Sequence, residues 1–106
     1  MKLLIISILS LMSFHAYSQE WNVSGKVTSI YLKPSRNGVY LTHDSMITGG
    51  CGTSVAFYFL DASSTLFKET YSLLLAAYNS EKPVKILLDG CQPSYQYPLI
   101  TEVISE

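Results

Sequence analysis

One cluster in the sequence has the residue types for acid–base chemistry, His43-Asp44-Ser45. In hydrolases a serine nucleophile is activated by a histidine that an acid orients. Adjacent side chains point in different directions, so these three cannot form the hydrogen-bonded chain that acyl transfer requires. The other carboxylates lack the spacing of a metal loop or a paired-carboxylate site. We therefore predict that the protein is not an enzyme and needs no metal or organic cofactor.

The two cysteines, Cys51 and Cys91, could pair, ligate a metal or supply a reactive thiol. There is no CxxC motif, and His43 is the only histidine outside residues 1–18, which are interpreted below as a signal peptide. In a small exported domain, two cysteines most often pair with each other. We predict a Cys51–Cys91 disulfide, which would contribute about 4 kcal/mol to stability by closing a loop of about 40 residues in the unfolded chain.

Tyrosine is the one enriched residue type that could serve binding, with eight in the chain. An aromatic face with a hydroxyl at its edge suits sugar stacking and protein interfaces alike. Tyr31, Tyr95 and Tyr97 flank or occupy predicted loops, where packing explains an aromatic less easily. The candidate binding residues are Tyr31, Ser35, Asn37, Tyr95 and Tyr97. The tyrosines expected to fill the core instead are Tyr40, Tyr58, Tyr71 and Tyr78.

The N-terminus has the pattern of a secretory signal peptide. Lys2 precedes an apolar run from Leu3 to Met12, and small residues follow at Ala16 and Ser18. We predict a signal peptide over residues 1–18, cleaved after Ser18, and a single exported domain over residues 19–106. An uncleaved anchor is the alternative, but it would need about 18 or more apolar residues. The expected location is the periplasm or the outside of the cell, with no membrane span after cleavage.

The charge balance argues against a nucleic-acid partner. Removing Lys2 from the seven basic residues leaves six against eight acids, a formal charge of −2. Phosphate contact needs a basic face, and the sequence contains no basic cluster.

One helix is predicted, over residues 64–78. Hydroxyls at positions 63–65 offer an N-cap, while Asn79 and Pro83 mark the end of the helix. Its apolar face has helical spacing and must cover a core. The residues of that face are Phe67, Tyr71, Leu74 and Tyr78.

Five strands surround this helix in the order β-β-β-α-β-β. They are predicted at 21–31, bent at or after Gly25, and at 38–43, 54–60, 84–88 and 99–104. This is the chain order of the OB-fold, a five-stranded and partly open Greek-key barrel. In that fold the third and fifth strands run parallel, so Cys51 before the third strand and Cys91 before the fifth would lie close together. The alternative is an α+β meander with the helix packed on an open sheet.

Several stretches resemble the receptor-binding B subunits of bacterial toxins of the subtilase cytotoxin and pertussis type. They are residues 24–29, 64–69, 73–74, 77–80, 84–86 and 97–99. The resemblance implies an exported OB-fold protein that forms a homopentamer, binds sialylated glycans and associates with an enzymatic A subunit. Those subunits have a longer segment before the first strand, where only Gln19 and Glu20 precede Trp21 here, and their cysteines are placed differently. No sugar-contacting residue is therefore carried over.

Two functions follow from the sequence. The first is an exported, non-enzymatic binding protein whose ligand is a cell-surface glycan. The alternative is a monomeric periplasmic protein with a structural or partner-regulating task and no small ligand.

Overall fold

The computed structural model describes residues 19–106, so the predicted signal peptide lies outside the described residues. Within them, no helix has both the length and the apolar character needed to cross a membrane. The strands are β1 (Glu20–Trp21), β2 (Val27–Lys33), β3 (Gly38–His43), β4 (Tyr58–Asp61), β5 (Val84–Cys91) and β6 (Pro98–Ser105). One α-helix, α1 (Phe67–Ser80), lies between β4 and β5, and a 3-10 turn (Pro34–Arg36) joins β2 to β3.

The six strands form one mixed sheet in the order β1-β5-β6-β4-β3-β2. Only β4 and β6 run parallel, paired at Phe59 and Leu99, and the other neighbours are antiparallel. The predicted class, mainly β with one helix between the third and fourth long strands, is confirmed. The finer prediction, a partly open barrel of five strands, differs from the structure, in which the sheet is open and has six strands.

The sixth strand arises because the first predicted strand is divided in two. Its start, β1, pairs with β5, whereas its second half, β2, pairs with β3 at the opposite edge of the sheet. Between them Gly25 exchanges two backbone hydrogen bonds with Val84, of 3.1 and 2.8 Å. A Cβ on Gly25 would lie 2.9 Å from atoms of His43 and Asp44, so this approach requires glycine. The expected bend is present as a register shift between Val27 and Ser29.

The core lies between the sheet and α1. From the helix it takes Leu74 and Ala77, with Phe67 and Tyr71 packed at its border. Tyr78 was expected in the core, but it is 40% exposed because the last helical turn has reached an open polar cleft at the rim of the sheet. The sheet contributes Val27, Val39, Leu41, Tyr58, Leu60, Val84, Ile86, Leu88 and Ile100.

Both ends of α1 differ from the prediction. The N-cap is Leu66, which is left-handed at φ 58° and makes no side-chain cap. Two of the three predicted capping hydroxyls, those of Ser63 and Ser64, bond to Asp61 instead. At the other end Glu81, not Asn79, takes the left-handed C-cap position and donates its N–H to the Ala77 carbonyl.

The Cys51–Cys91 disulfide is present, with the two Cα atoms 5.7 Å apart. It fastens the glycine-rich loop before β4 to the end of β5. That loop extends further than predicted, so the strand expected over 54–60 begins only at Tyr58.

Candidate functional site

An aromatic row crosses the outer face of the sheet, on the side away from the core. In β3, Val39 and Leu41 point into the core, so Tyr40 between them points outward. Its cross-strand partners are Tyr31 in β2 and Phe59 in β4. Side chains directly opposite each other share a face, so the three rings form a row. We use the name aromatic surface for Tyr31, Tyr40, Phe57, Phe59, Tyr95 and Tyr97.

The rings of the aromatic surface contact one another in the geometries that aromatic pairs prefer. Phe57 stacks on Tyr40, with centroids 5.2 Å apart and planes at 23°. Tyr97 meets both rings edge-on, at 5.4 and 5.7 Å. Tyr40 is buried beneath them, whereas Tyr31 is 49% exposed at one end. The cluster is therefore a continuous layer with an accessible outer side.

The first hairpin turn and the last loop meet at one end of this layer. Tyr95 lies parallel to Tyr97, with centroids 6.1 Å apart. The guanidinium carbon of Arg36 sits 3.7 Å from the centroid of the Tyr95 ring, a cation–π contact. Lys33 provides a second cation, with Nζ 3.2 Å from the Tyr31 hydroxyl. Phenol hydroxyls and nitrogen donors thus border the apolar rings.

A buried amide supports the layer from below. The side chain of Gln92 is 3.2 Å (Oε1) and 3.1 Å (Nε2) from the Tyr40 hydroxyl. The same residue closes the last loop, because its N–H donates to the Tyr97 carbonyl and its carbonyl accepts from Gln96. Gln92 therefore fixes both Tyr40 and the loop that carries Tyr95 and Tyr97.

The candidate binding residues come together only in part. Tyr31, Tyr95 and Tyr97 all belong to the aromatic surface. Ser35 and Asn37 lie exposed on the turn beside Arg36. Asn37 is left-handed at φ 54° and holds the turn through its backbone, donating to the Pro34 carbonyl and accepting from Ala62.

Sequence reasoning missed Arg36, Phe57 and Gln92. Tyr40 was expected in the core. Strict alternation in the second predicted strand, with Val39 and Leu41 on either side, could have placed it on the outer face instead. No local pattern marks Phe57 or Gln92, because each is defined by contacts with residues far away along the chain.

The His43-Asp44-Ser45 segment forms hydrogen bonds that connect neighbouring parts of the backbone. His43 is buried, and its Nδ1 accepts hydrogen bonds from the Ser45 N–H at 2.9 Å and the Asn22 amide at 3.2 Å. Nε2 must then carry the proton, which it donates to the Val84 carbonyl at 2.9 Å. The Asp44 carboxylate instead accepts the backbone N–H of Lys26. The imidazole therefore joins the ends of β1 and β3 to the start of β5.

Tyr58 lies next to this network. Its hydroxyl donates to the Ser45 carbonyl at 2.7 Å and accepts the Ile47 N–H at 2.9 Å. Burial raises the pKa of the Tyr58 phenol above its ordinary value, because the phenolate would lose its hydration. The phenol is therefore held neutral as a structural hydrogen-bonding group.

Among residues 19–106, no three side chains of the metal-ligating types lie close enough together to share an ion. No protein family model matches the chain, and no curated protein matches it at a significant level.

Proposed function

We propose that the protein is an exported, non-enzymatic binding protein that recognises a cell-surface glycan through the aromatic surface. The main observation in support of this proposal is an aromatic layer on the outer face of the sheet. It is formed by Tyr31, Phe57, Tyr95 and Tyr97. Sugar rings have apolar C–H faces that stack on aromatic rings and hydroxyls that bond to polar groups at their edges. Arg36 and the phenol hydroxyls are the polar groups available here.

An OB-fold-like architecture is part of this proposal. It is supported by the parallel pairing of β4 with β6 and by the helix between β4 and β5. It is also supported by Gly25, whose backbone bonds to Val84 bring the first segment of the chain against β5. In OB-folds, the face of the second and third strands and two of the loops bind ligands. The corresponding segments here are β3, β4, the turn at Pro34–Arg36 and the loop 92–97.

Assembly like that of a toxin B subunit, as a homopentamer with an enzymatic A subunit, extends the proposal. This extension rests on the sequence resemblance. The Cys51–Cys91 disulfide supports the location in an oxidising compartment outside the cytoplasm that such an assembly requires. Light scattering on the purified protein tests the assembly separately from ligand binding. A pentamer supports this extension, and a monomer at all concentrations rejects it.

The glycan proposal is tested on an array that carries sialylated and neutral glycans. We expect binding that Tyr31→Ala and Tyr97→Ala reduce at least tenfold, because each removes a stacking ring worth about 1.4 kcal/mol or more. Tyr78→Ala is the matched control, since Tyr78 is 40% exposed against 49% for Tyr31 but lies on α1. Absence of binding to every glycan, or an equal loss in the Tyr78 variant, would reject the proposal and favour a partner-regulating protein with no small ligand.

A further inference from the structure

A second cleft, with a volume of about 400 Å³, lies between β1, the second half of β6 and the start of α1. It shares no residue with the aromatic surface. Its wall contains one indole ring, three threonines and one carboxylate, and aliphatic side chains complete it. The residues that matter here are Trp21, Thr65, Thr70, Thr101, Glu102 and Ile104.

Trp21 gives the cleft an exposed aromatic wall. It is the single tryptophan of the chain and 39% exposed, although tryptophan usually hides most of its large surface. Ile104 beside it is 47% exposed. An apolar ligand surface could therefore cover both side chains and gain free energy in proportion to the area removed from water.

Polar groups also line the cleft. Trp21 pairs with Leu87, and Leu87 pairs with Glu102, so the indole and the carboxylate share one face of the sheet two strands apart. Two strand spacings place their backbones about 10 Å apart. Thr101 donates its hydroxyl proton to the Leu87 carbonyl at 3.1 Å, which leaves its oxygen free to accept. Thr65, just before α1, and Thr70, in its first turn, add hydroxyls.

We infer that this cleft binds a neutral pyranose unit, with an apolar C–H face of the sugar on Trp21 and its hydroxyls bonded to Glu102 and the threonines. A ring that is apolar on its faces and carries hydroxyls at its rim matches a wall of that composition. The volume is within the range of small-molecule sites. Among residues 19–106, Glu102 is the only charged residue of the lining, so an acidic sugar would meet repulsion from its carboxylate with no cation of this part of the chain to compensate.

This inference does not depend on the aromatic surface, and its test uses a different signal. Because Trp21 is the only tryptophan, its fluorescence reports on the cleft alone. The probes are D-galactose, D-glucose and D-mannose, with N-acetylneuraminic acid as the charged comparison. We expect a saturable fluorescence change with at least one neutral hexose and none with the acidic sugar.

Two variants check which residues are responsible. Glu102→Gln removes a charged acceptor and should weaken hexose binding about tenfold. Glu69→Gln is the matched control, because Glu69 is an exposed carboxylate on α1 outside the cleft. Circular dichroism establishes that both variants are folded.

Three sugar-binding results would overturn the inference. They are no response to any neutral hexose, an equal loss in both glutamate variants, or tighter binding of the acidic sugar. A fluorescence shift that follows protein concentration instead of sugar concentration would also overturn it, since a second copy would then cover Trp21. Binding by the aromatic surface is measured separately, on the glycan array with the tyrosine variants. Either proposed site can therefore be rejected while the other is retained.

Discussion

The side-chain amide of Gln92 bonds to the hydroxyl of Tyr40 across a separation of 52 residues, and both side chains are buried. Gln92 follows Cys91 directly, so the disulfide, the last loop and the centre of the aromatic surface are mechanically connected. Loss of this amide should therefore affect stability and the position of Tyr97 together.

Gln92→Leu should lower the free energy of unfolding by about 1–3 kcal/mol, because it leaves the Tyr40 hydroxyl buried without a partner. Urea denaturation measures the change. Gln96→Ala, an exposed glutamine of the same loop, should stay within about 0.5 kcal/mol of the parent protein. Equal effects of the two substitutions would show that the buried bond contributes little.

The double variant Cys51→Ser, Cys91→Ser should lose about 4 kcal/mol of stability, since the bridge spans 40 residues. Chemical denaturation under oxidising conditions measures this loss. Adding reductant should destabilise the parent protein and leave the double variant unchanged. A loss below about 1 kcal/mol would mean that the unfolded chain gains little freedom when the bridge is absent.

Asn22→Ala should cost about 3 kcal/mol, because the Asn22 side chain makes three hydrogen bonds in a buried position. It accepts the Ile86 N–H at 2.7 Å and donates to His43 and to the Ser45 carbonyl. Thermal unfolding measures the effect. Asn79→Ala on the exposed side of α1 is the control, and it should be neutral or slightly stabilising because alanine favours helix. A small loss for Asn22→Ala would mean that water replaces these bonds.

Stability should fall at alkaline pH because the pKa of Tyr58 is raised by burial. The folded protein keeps this phenol protonated at a pH where the unfolded chain releases the proton. The stabilisation is therefore complete below the ordinary pKa of 10.0 and is lost as the pH rises through the higher folded value. Unfolding midpoints between about pH 8 and 12, with phenolate absorbance recorded in parallel, measure it.

Tyr58→Phe should make this alkaline dependence shallower, although its stability at neutral pH is lower because two hydrogen bonds are lost. Tyr78→Phe, at an exposed position, should keep the parent pH dependence. Ionisation of Tyr58 together with the exposed tyrosines, in a protein that stays folded, would contradict the prediction.

The elements that the sequence predicted well depend on neighbours along the chain. The strand over 38–43 has its predicted bounds, and α1 has its predicted apolar face at Phe67, Tyr71 and Leu74. Errors occurred at the ends of elements: just before α1, Asp61 accepts hydrogen bonds from the hydroxyls of Ser63 and Ser64, two of the three that were expected to cap the helix. The disulfide was predictable because only two cysteines are present.

The sequence drew attention to three tyrosines of the candidate site, but not to the contacts that organise them. Composition drew attention to Tyr31, Tyr95 and Tyr97, but Arg36 lies over Tyr95 only because two turns from opposite ends of the chain meet. The Trp21 cleft is a similar case, because Trp21 and the carboxylate of the cleft, Glu102, lie near opposite ends of the chain.

The sequence by itself determined the secondary-structure class, one amphipathic helix and the cysteine pair, because side-chain periodicity and residue counts are local properties of the chain. Only the tertiary structure decided that the first segment divides at Gly25 and that the sheet has six strands and stays open. It also decided which aromatic rings share a face. Those outcomes depend on register and packing between residues far apart in sequence, such as Gly25 with Val84, and no local pattern encodes that pairing.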